Sequence, residues 1–164
     1  MLTYIETFSA LDFPMLMTVY GESNRENVLD GCAPDLASVE ADFRVYLERD
    51  FFTCPGAKYA LWTTEEGYVS ALRLRPWENG LLLEGLETAP AVRRLGYATR
   101  LIRGVCAEQT VPLYAHVGKE NAPSLAAFAA CGFTRLLEYA RYSAVDETLD
   151  HMCTLAFRPA PIFL

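Results

Sequence analysis

Residues 81–98 read Leu81-Leu82-Leu83-Glu84-Gly85-Leu86-Glu87-Thr88-Ala89-Pro90-Ala91-Val92-Arg93-Arg94-Leu95-Gly96-Tyr97-Ala98. The first eight are mostly apolar and are closed by Ala89-Pro90, which predicts a largely buried strand with a stop signal. After Gly96 the period changes. Leu95, Ala98, Leu101, Ile102 and Val105 recur at helical spacing, so a helix is predicted over 96–109. A strand therefore runs into a tight loop, and the loop opens a helix. The first turn of a helix has amides without an internal partner, and its dipole favours an anion. Gly96 lets a ligand approach the backbone closely. Arg93 and Arg94 add positive charge at the same place. Physically this is a cradle for a phosphate or pyrophosphate. It lacks the Gly-Lys-Ser/Thr ending of a Walker loop and the G-x-G-x-x-G of a dinucleotide fold.

The rest of the chain supports a mixed fold. Residues 1–7 predict a first strand. Ser9 or Asp12 is placed to cap a helix carrying Phe13, Leu16, Met17 and Tyr20. Residues 21–34 read as a polar, turn-rich connection whose middle has room for a helical turn. A helix from Asp35 or Ser38 presents Val39, Phe43, Tyr46, Leu47 and Phe51, and Cys54-Pro55-Gly56 stops it. Strands are expected at 58–64 and 68–75. The Asn79-Gly80 hairpin signal joins the second of these to 81–88. Residues 112–117 predict the next strand. A helix follows from Asn121, with Pro123 in its first turn and Gly132 as its C-cap. Residues 133–143 and 148–157 predict a closing hairpin.

Composition narrows the function. A chain of 164 residues suits one domain, 1–164. The net charge of -7 argues against nucleic acid as a partner. It permits a cationic acceptor such as an amine. No apolar run is long enough to cross a membrane. The N-terminus shows no signal-like stretch, so a cytoplasmic location is expected. The five cysteines have no framework spacing and are expected to be reduced. With only His116 and His151, no metal site is expected.

A second motif, Asn121-x-x-Ser124-x-x-x-Phe128-x-x-x-Gly132-Phe133, lies one strand and one helix after the cradle. Together with Arg93-x-x-Gly96-x-Ala98, in this order, it resembles the GNAT (Gcn5-related N-acetyltransferase) family. The clear resemblance covers residues 81–133. It implies an α+β fold with three α/β/α layers: a twisted, mostly antiparallel sheet of six to seven strands, about four helices, and central parallel strands that splay apart. It implies acetyl-CoA as co-substrate, between those strands, with direct transfer to a primary amine. By resemblance the co-substrate lies along Thr88, Arg93, Arg94, Leu95, Gly96, Tyr97, Ala98 and Thr99, and against Asn121, Ser124 and Phe128. Many members have Tyr where this chain has Phe128, which has no proton to give a departing thiolate. That leaves a non-catalytic acyl-CoA-binding domain as the alternative reading.

An amine must be neutral to attack, so a nearby base helps. Glu84 and Glu87 stand in an otherwise apolar strand, where a carboxylate needs a role or a partner. Glu87 is nearer the loop and is the candidate catalytic base. Glu84 is read as an ion-pair partner of Arg73 or Arg75, an alternative also open to Glu87. His116 is either a second base or structural. Tyr139 and Tyr142 either line the acceptor pocket or serve as core or rim packing. Cys106 and Cys131 are read as packing residues. The resemblance assigns the acceptor to residues 20–34 and 139–148, with a small molecule favoured over a protein. A monomer or a homodimer is expected, and Ile162-Phe163-Leu164 form either a docked tail or a dimer contact.

Overall fold

The computed structural model describes residues 1–141 and 148–160. In chain order its elements are β1 (Leu2–Ile5), α1 (Phe13–Leu29), α2 (Leu36–Tyr46), β2 (Lys58–Thr64), β3 (Gly67–Trp77), β4 (Gly80–Thr88), α3 (Tyr97–Glu108), β5 (Leu113–Gly118), α4 (Ala122–Ala129), β6 (Thr134–Leu137), β7 (Ala140–Arg141), β8 (Thr148–Leu149) and β9 (Met152–Phe157). Among the described residues one sheet has seven strands in the order β1-β2-β3-β4-β5-β9-β6, and β7 pairs with β8 apart from it. Every sheet pairing is antiparallel except β4 with β5.

Period-2 alternation gives the sheet two apolar faces. On one face Ala60, Leu72, Leu74, Leu83 and Ala115 pack under Leu101, Ile102 and Val105 of α3, with Phe128 and Phe133. On the other, Tyr59, Leu61 and Ala71 pack under Leu16, Val19 and Tyr20 of α1, with Leu47 and Phe51. The three expected layers follow from these two cores.

Two features of the sheet make room for a site. The parallel ladder of β4 and β5 runs only through Leu81↔Leu113, Leu82↔Tyr114 and Leu83↔Ala115. Strand β4 continues to Thr88 and β5 to Gly118, so the two part beyond that point. The second feature is a bulge at Gly85. Ala71 lies opposite Glu87 and Arg73 opposite Glu84, so β4 carries one extra residue between those pairs. Gly85 has φ 58°, the left-handed region a glycine adopts without strain. Without the bulge, residues 84 and 87 would point to opposite faces. With it, both carboxylates join Ala71 and Arg73 on the α1–α2 face.

The expectation for residues 21–34 is corrected. Helix α1 runs unbroken through Gly21 to Leu29. Asp12 caps its N-terminus, accepting from the Met15 amide at 2.9 Å. Gly, Ser and Asn at 21, 23, 24 and 27 suppress the helical signal in the sequence. They are tolerated because this part of α1 borders a polar cleft rather than the core. The expected strand over 133–143 is broken into β6 and β7. Tyr142, Ser143 and the rest of 142–147, like Ile162-Phe163-Leu164, lie outside the described residues.

Candidate active site

A cleft of about 940 Å³ opens where β4 and β5 part. Strand β4 lines it with Leu86, Glu87 and Thr88, and α1 with Glu22, Ser23 and Glu26. The loop and first turn of α3 contribute Arg93, Arg94, Gly96, Tyr97, Ala98 and Thr99. The start of α4 contributes Asn121, Pro123, Ser124 and Ala127. Two motifs separated in sequence by the body of α3 and by β5 thus form adjoining walls of one cleft.

Two of the motif residues do not line it. Leu95 holds its side chain in solvent, 59% exposed, so only its backbone belongs to the loop surface. Phe128 is 3% exposed. Its ring meets Phe133 edge-on at 5.0 Å, inside the core between α4 and the sheet.

The cradle is made of backbone. Gly96 precedes α3 with φ 82° and ψ 13°, and no side chain caps this helix. A Cβ built on Gly96 would meet nothing within 4 Å, so the loop surface is open to an incoming group. Uncapped amides at a helix N-terminus suit an anion. The two arginines of the loop divide their roles. Arg93 forms an ion pair with Glu22, approaches Glu87 Oε2 at 3.7 Å, and donates from Nε to the Thr88 carbonyl at 3.2 Å. It ties α1 to the end of β4. Arg94 (φ 65°) has no ion-pair partner among the described residues, so its charge is open to an incoming anion. At α4, Asn121 Oδ1 accepts from the Ser124 amide at 3.1 Å. The asparagine is thus a cap, and its amide nitrogen has no hydrogen-bond partner among the described residues.

Glu87 is the titratable group at the centre of the site. Its side chain is 26% exposed. Burial pushes its pKa above the usual carboxylate value and Glu26 adds to the rise, while a hydrogen bond with Ser23 opposes it. Glu84 pairs with Arg75 at 3.7 Å. His116 does not belong to the cleft. It sits edge-on to Trp77 with ring centroids 5.2 Å apart, and burial pushes its pKa down to about 4. Burial also raises the thiol pKa of Cys106, to about 12, and that of Cys131, so neither is a ready nucleophile.

Behind Glu87 lies a second cavity of about 370 Å³. Its lining is Tyr20, Ser23, Asn24 and Asn27 of α1, Val39 and Phe43 of α2, Arg73 of β3, and Glu87. Ser23 and Glu87 line both cavities, so the two meet at the candidate base. The Tyr20 hydroxyl donates to the Gly85 carbonyl at 2.6 Å and accepts from Tyr59 at 3.1 Å. Sequence reasoning places part of α1 near an acceptor but misses Arg73, Phe43 and Val39. The one available signal is Asn24 and Asn27 at i, i+3, which share a face only once the segment is recognised as helical.

A mostly antiparallel sheet whose one parallel pair splays apart, with an open helix N-terminus at the splay, is the architecture of the acyl-CoA-dependent acyltransferases. The chain belongs to the Acetyltransferase (GNAT) family, whose family model matches residues 26–133. No curated protein matches it in sequence. Solved structures share the fold. An acetyltransferase from Thermus thermophilus is 23% identical with TM-score 0.64, covering 97% of each chain. An aminoglycoside 6'-acetyltransferase type Ii is 12% identical with TM-score 0.69, covering 98% of each chain. A Bacillus subtilis acetyltransferase solved in complex with CoA is 9% identical with TM-score 0.51, over 62% of this chain and 76% of that one.

Proposed function

We propose that residues 1–164 form one domain that moves an acetyl group from acetyl-CoA directly to a primary amine of a small molecule. The observation that carries this reading is the position of Glu87, where the cradle cleft and the second cavity meet. When bound, acetyl-CoA supplies a thioester activated towards amines. The chain's own residues do the rest. The amides after Gly96 and the Arg94 guanidinium hold the pyrophosphate. Thr88 and Thr99 flank the same path, and Asn121 and Ser124 border its far wall. Glu87 takes the proton of the incoming ammonium, so that a neutral amine faces the thioester. A raised pKa suits that task, because a base works best near the operating pH. The setting is the cytoplasm, the protein a monomer or a homodimer, and neither nucleic acid nor membrane is a partner.

A non-catalytic acyl-CoA-binding domain is the second reading, and one observation favours it. Phe128 is buried and offers no phenol to protonate a thiolate. Two measurements decide between the readings. Saturating acetyl-CoA, at about a hundred times its Kd, should stabilise the fold by about 2.7 kcal/mol. Release of free CoA thiol should then follow addition of an amine from a broad panel. An unmoved melting curve would refute both readings. A shift without release from any amine would favour the binding domain.

A further inference from the structure

We propose that the second cavity holds the carboxylate of an amino-acid-type acceptor on Arg73, with the acceptor's amine at Glu87. The inference rests on the transferase reading above and adds the class of acceptor.

Arg73 is an unusual residue to find there. Its Nε is buried, with no hydrogen-bond partner among the described residues. Its guanidinium lies over the rings of Phe43 and Tyr46, 5.5 and 5.2 Å from their centroids. Among the described residues it forms no ion pair. Cation–π contact and the charge of Glu84, opposite Arg73 in register, offset part of the cost of desolvating this guanidinium, but a directly bonded anion would offset more. The fold also keeps space for the group. A Cβ on Gly85 would stand 2.7 Å from Arg73 Nη2, so the bulge glycine clears the place where the guanidinium rests.

The register sets the spacing of cation and base. Glu87 lies opposite Ala71, and Arg73 is two residues further along the same face of β3. One pleat repeat is about 7 Å, which side chains from both ends can close on a short amino carboxylate. The planar fork of a guanidinium matches a carboxylate in two parallel hydrogen bonds. The rest of the lining is neutral. Asn24 is 5% exposed, and among the described residues its amide nitrogen donates only to the Met17 thioether, at 3.6 Å. Asn24 and Asn27 thus offer polar groups without charge. Glu87 is the one acidic residue in this lining. A polycationic acceptor would set its second charge against Arg73. A volume of about 370 Å³ holds one small molecule.

The test uses the full chain with acetyl-CoA and matched acceptor pairs. Leucine is compared with isopentylamine and phenylalanine with phenethylamine, by initial rate of CoA thiol release. Each amino acid should exceed its decarboxylated partner in kcat/KM by about ten- to a hundred-fold, the range of a charge-assisted hydrogen bond. Arg73→Gln should abolish the preference, chiefly by raising KM for the amino acid, with KM for acetyl-CoA unmoved. Arg73→Lys should retain part of it. If Arg73→Gln does not fold, the matched pairs on the unaltered protein still decide. Equal rates within each pair would overturn the inference, as would acetylation of no amino acid. A preference for O-phosphoethanolamine over every amino acid would overturn it too, by assigning Arg73 to a phosphate. An acetyl-CoA melting shift measured alongside separates the failures. A shift with equal pairs overturns the acceptor class alone, whereas its absence removes the cofactor reading as well.

Discussion

The two ends of the site are built from different materials. The cradle is backbone: a glycine in the left-handed region, a helix N-terminus, and a second helix start capped by Asn121. The proposed acceptor side is side chain: residues of α1, α2, β3 and β4 converge on one small cavity. Backbone sites are local, so a short motif can specify them. Side-chain sites are assembled from distant segments and have no motif of their own. The contrast also predicts how each end fails. Damage at the cradle should show in co-substrate affinity. Damage on the acceptor side should show in turnover or acceptor KM while co-substrate affinity stays put.

The largest effect should come from Glu87→Gln, which keeps the shape of the side chain and removes the base. Turnover is expected to fall by roughly a hundred- to ten-thousand-fold, measured as thiol release, with acetyl-CoA affinity barely changed. A joint loss of affinity would merge the two ends. The pH dependence has a definite sign. The base must be ionised to act, so activity should be lost as pH falls through the raised pKa of Glu87, earlier than for an ordinary carboxylate. Stability runs the other way. A carboxyl whose pKa is higher folded than unfolded costs stability once ionised, and that cost disappears as pH falls through the folded value. Glu87→Gln should therefore not lower Tm at neutral pH.

Next in size is Gly96→Ala. The position has φ 82°, so a side chain strains the loop by about 1–2 kcal/mol even without ligand. The methyl group also enters the cradle, so acetyl-CoA affinity should fall further than the apo Tm alone implies. Titration calorimetry beside a melting curve checks this, and equal losses in the two would mean the cradle lies elsewhere. Gly85→Ala tests the other end by the same means. It faces both φ 58° and the 2.7 Å approach to Arg73 Nη2, so about 1–3 kcal/mol of stability should be lost. Acceptor KM should rise and acetyl-CoA KM should not. The smallest effect belongs to Glu84→Gln. Its pair with Arg75 is 3.7 Å long; Arg75 is one-third exposed but Glu84 is largely buried and also acts on Arg73, so chemical denaturation should register about 1 kcal/mol. A catalytic defect there would give Glu84 a role this structure does not.

Much of this is legible in the sequence, and the reasons differ by element. Residues 81–98 announce the strand, the loop and the amphipathic helix because apolar period and glycine placement are local properties. The order of the two motifs carries the family. Sequence pattern cuts α1 short at Gly21 because propensity and hydropathy both describe a helix packed on a core. Its second half borders a cleft instead, where Glu22, Ser23, Asn24 and Glu26 are at home. The motif sets Phe128 with the co-substrate, yet α4 turns it into the core against Phe133.

The sequence by itself determined the helix start that forms the cradle and the presence of two carboxylates in β4. Each rests on neighbours within about one helical turn or one strand. Only the tertiary structure decided that Glu84 and Glu87 share a face. That outcome depends on one extra residue in the β3–β4 register, a relation between strands that no single segment contains. The same bulge sets Arg73 beside Gly85 and opens a cavity against helices that lie far from that strand pair in sequence. Local physics names the parts of this site, and the pairing of strands chooses which of them meet.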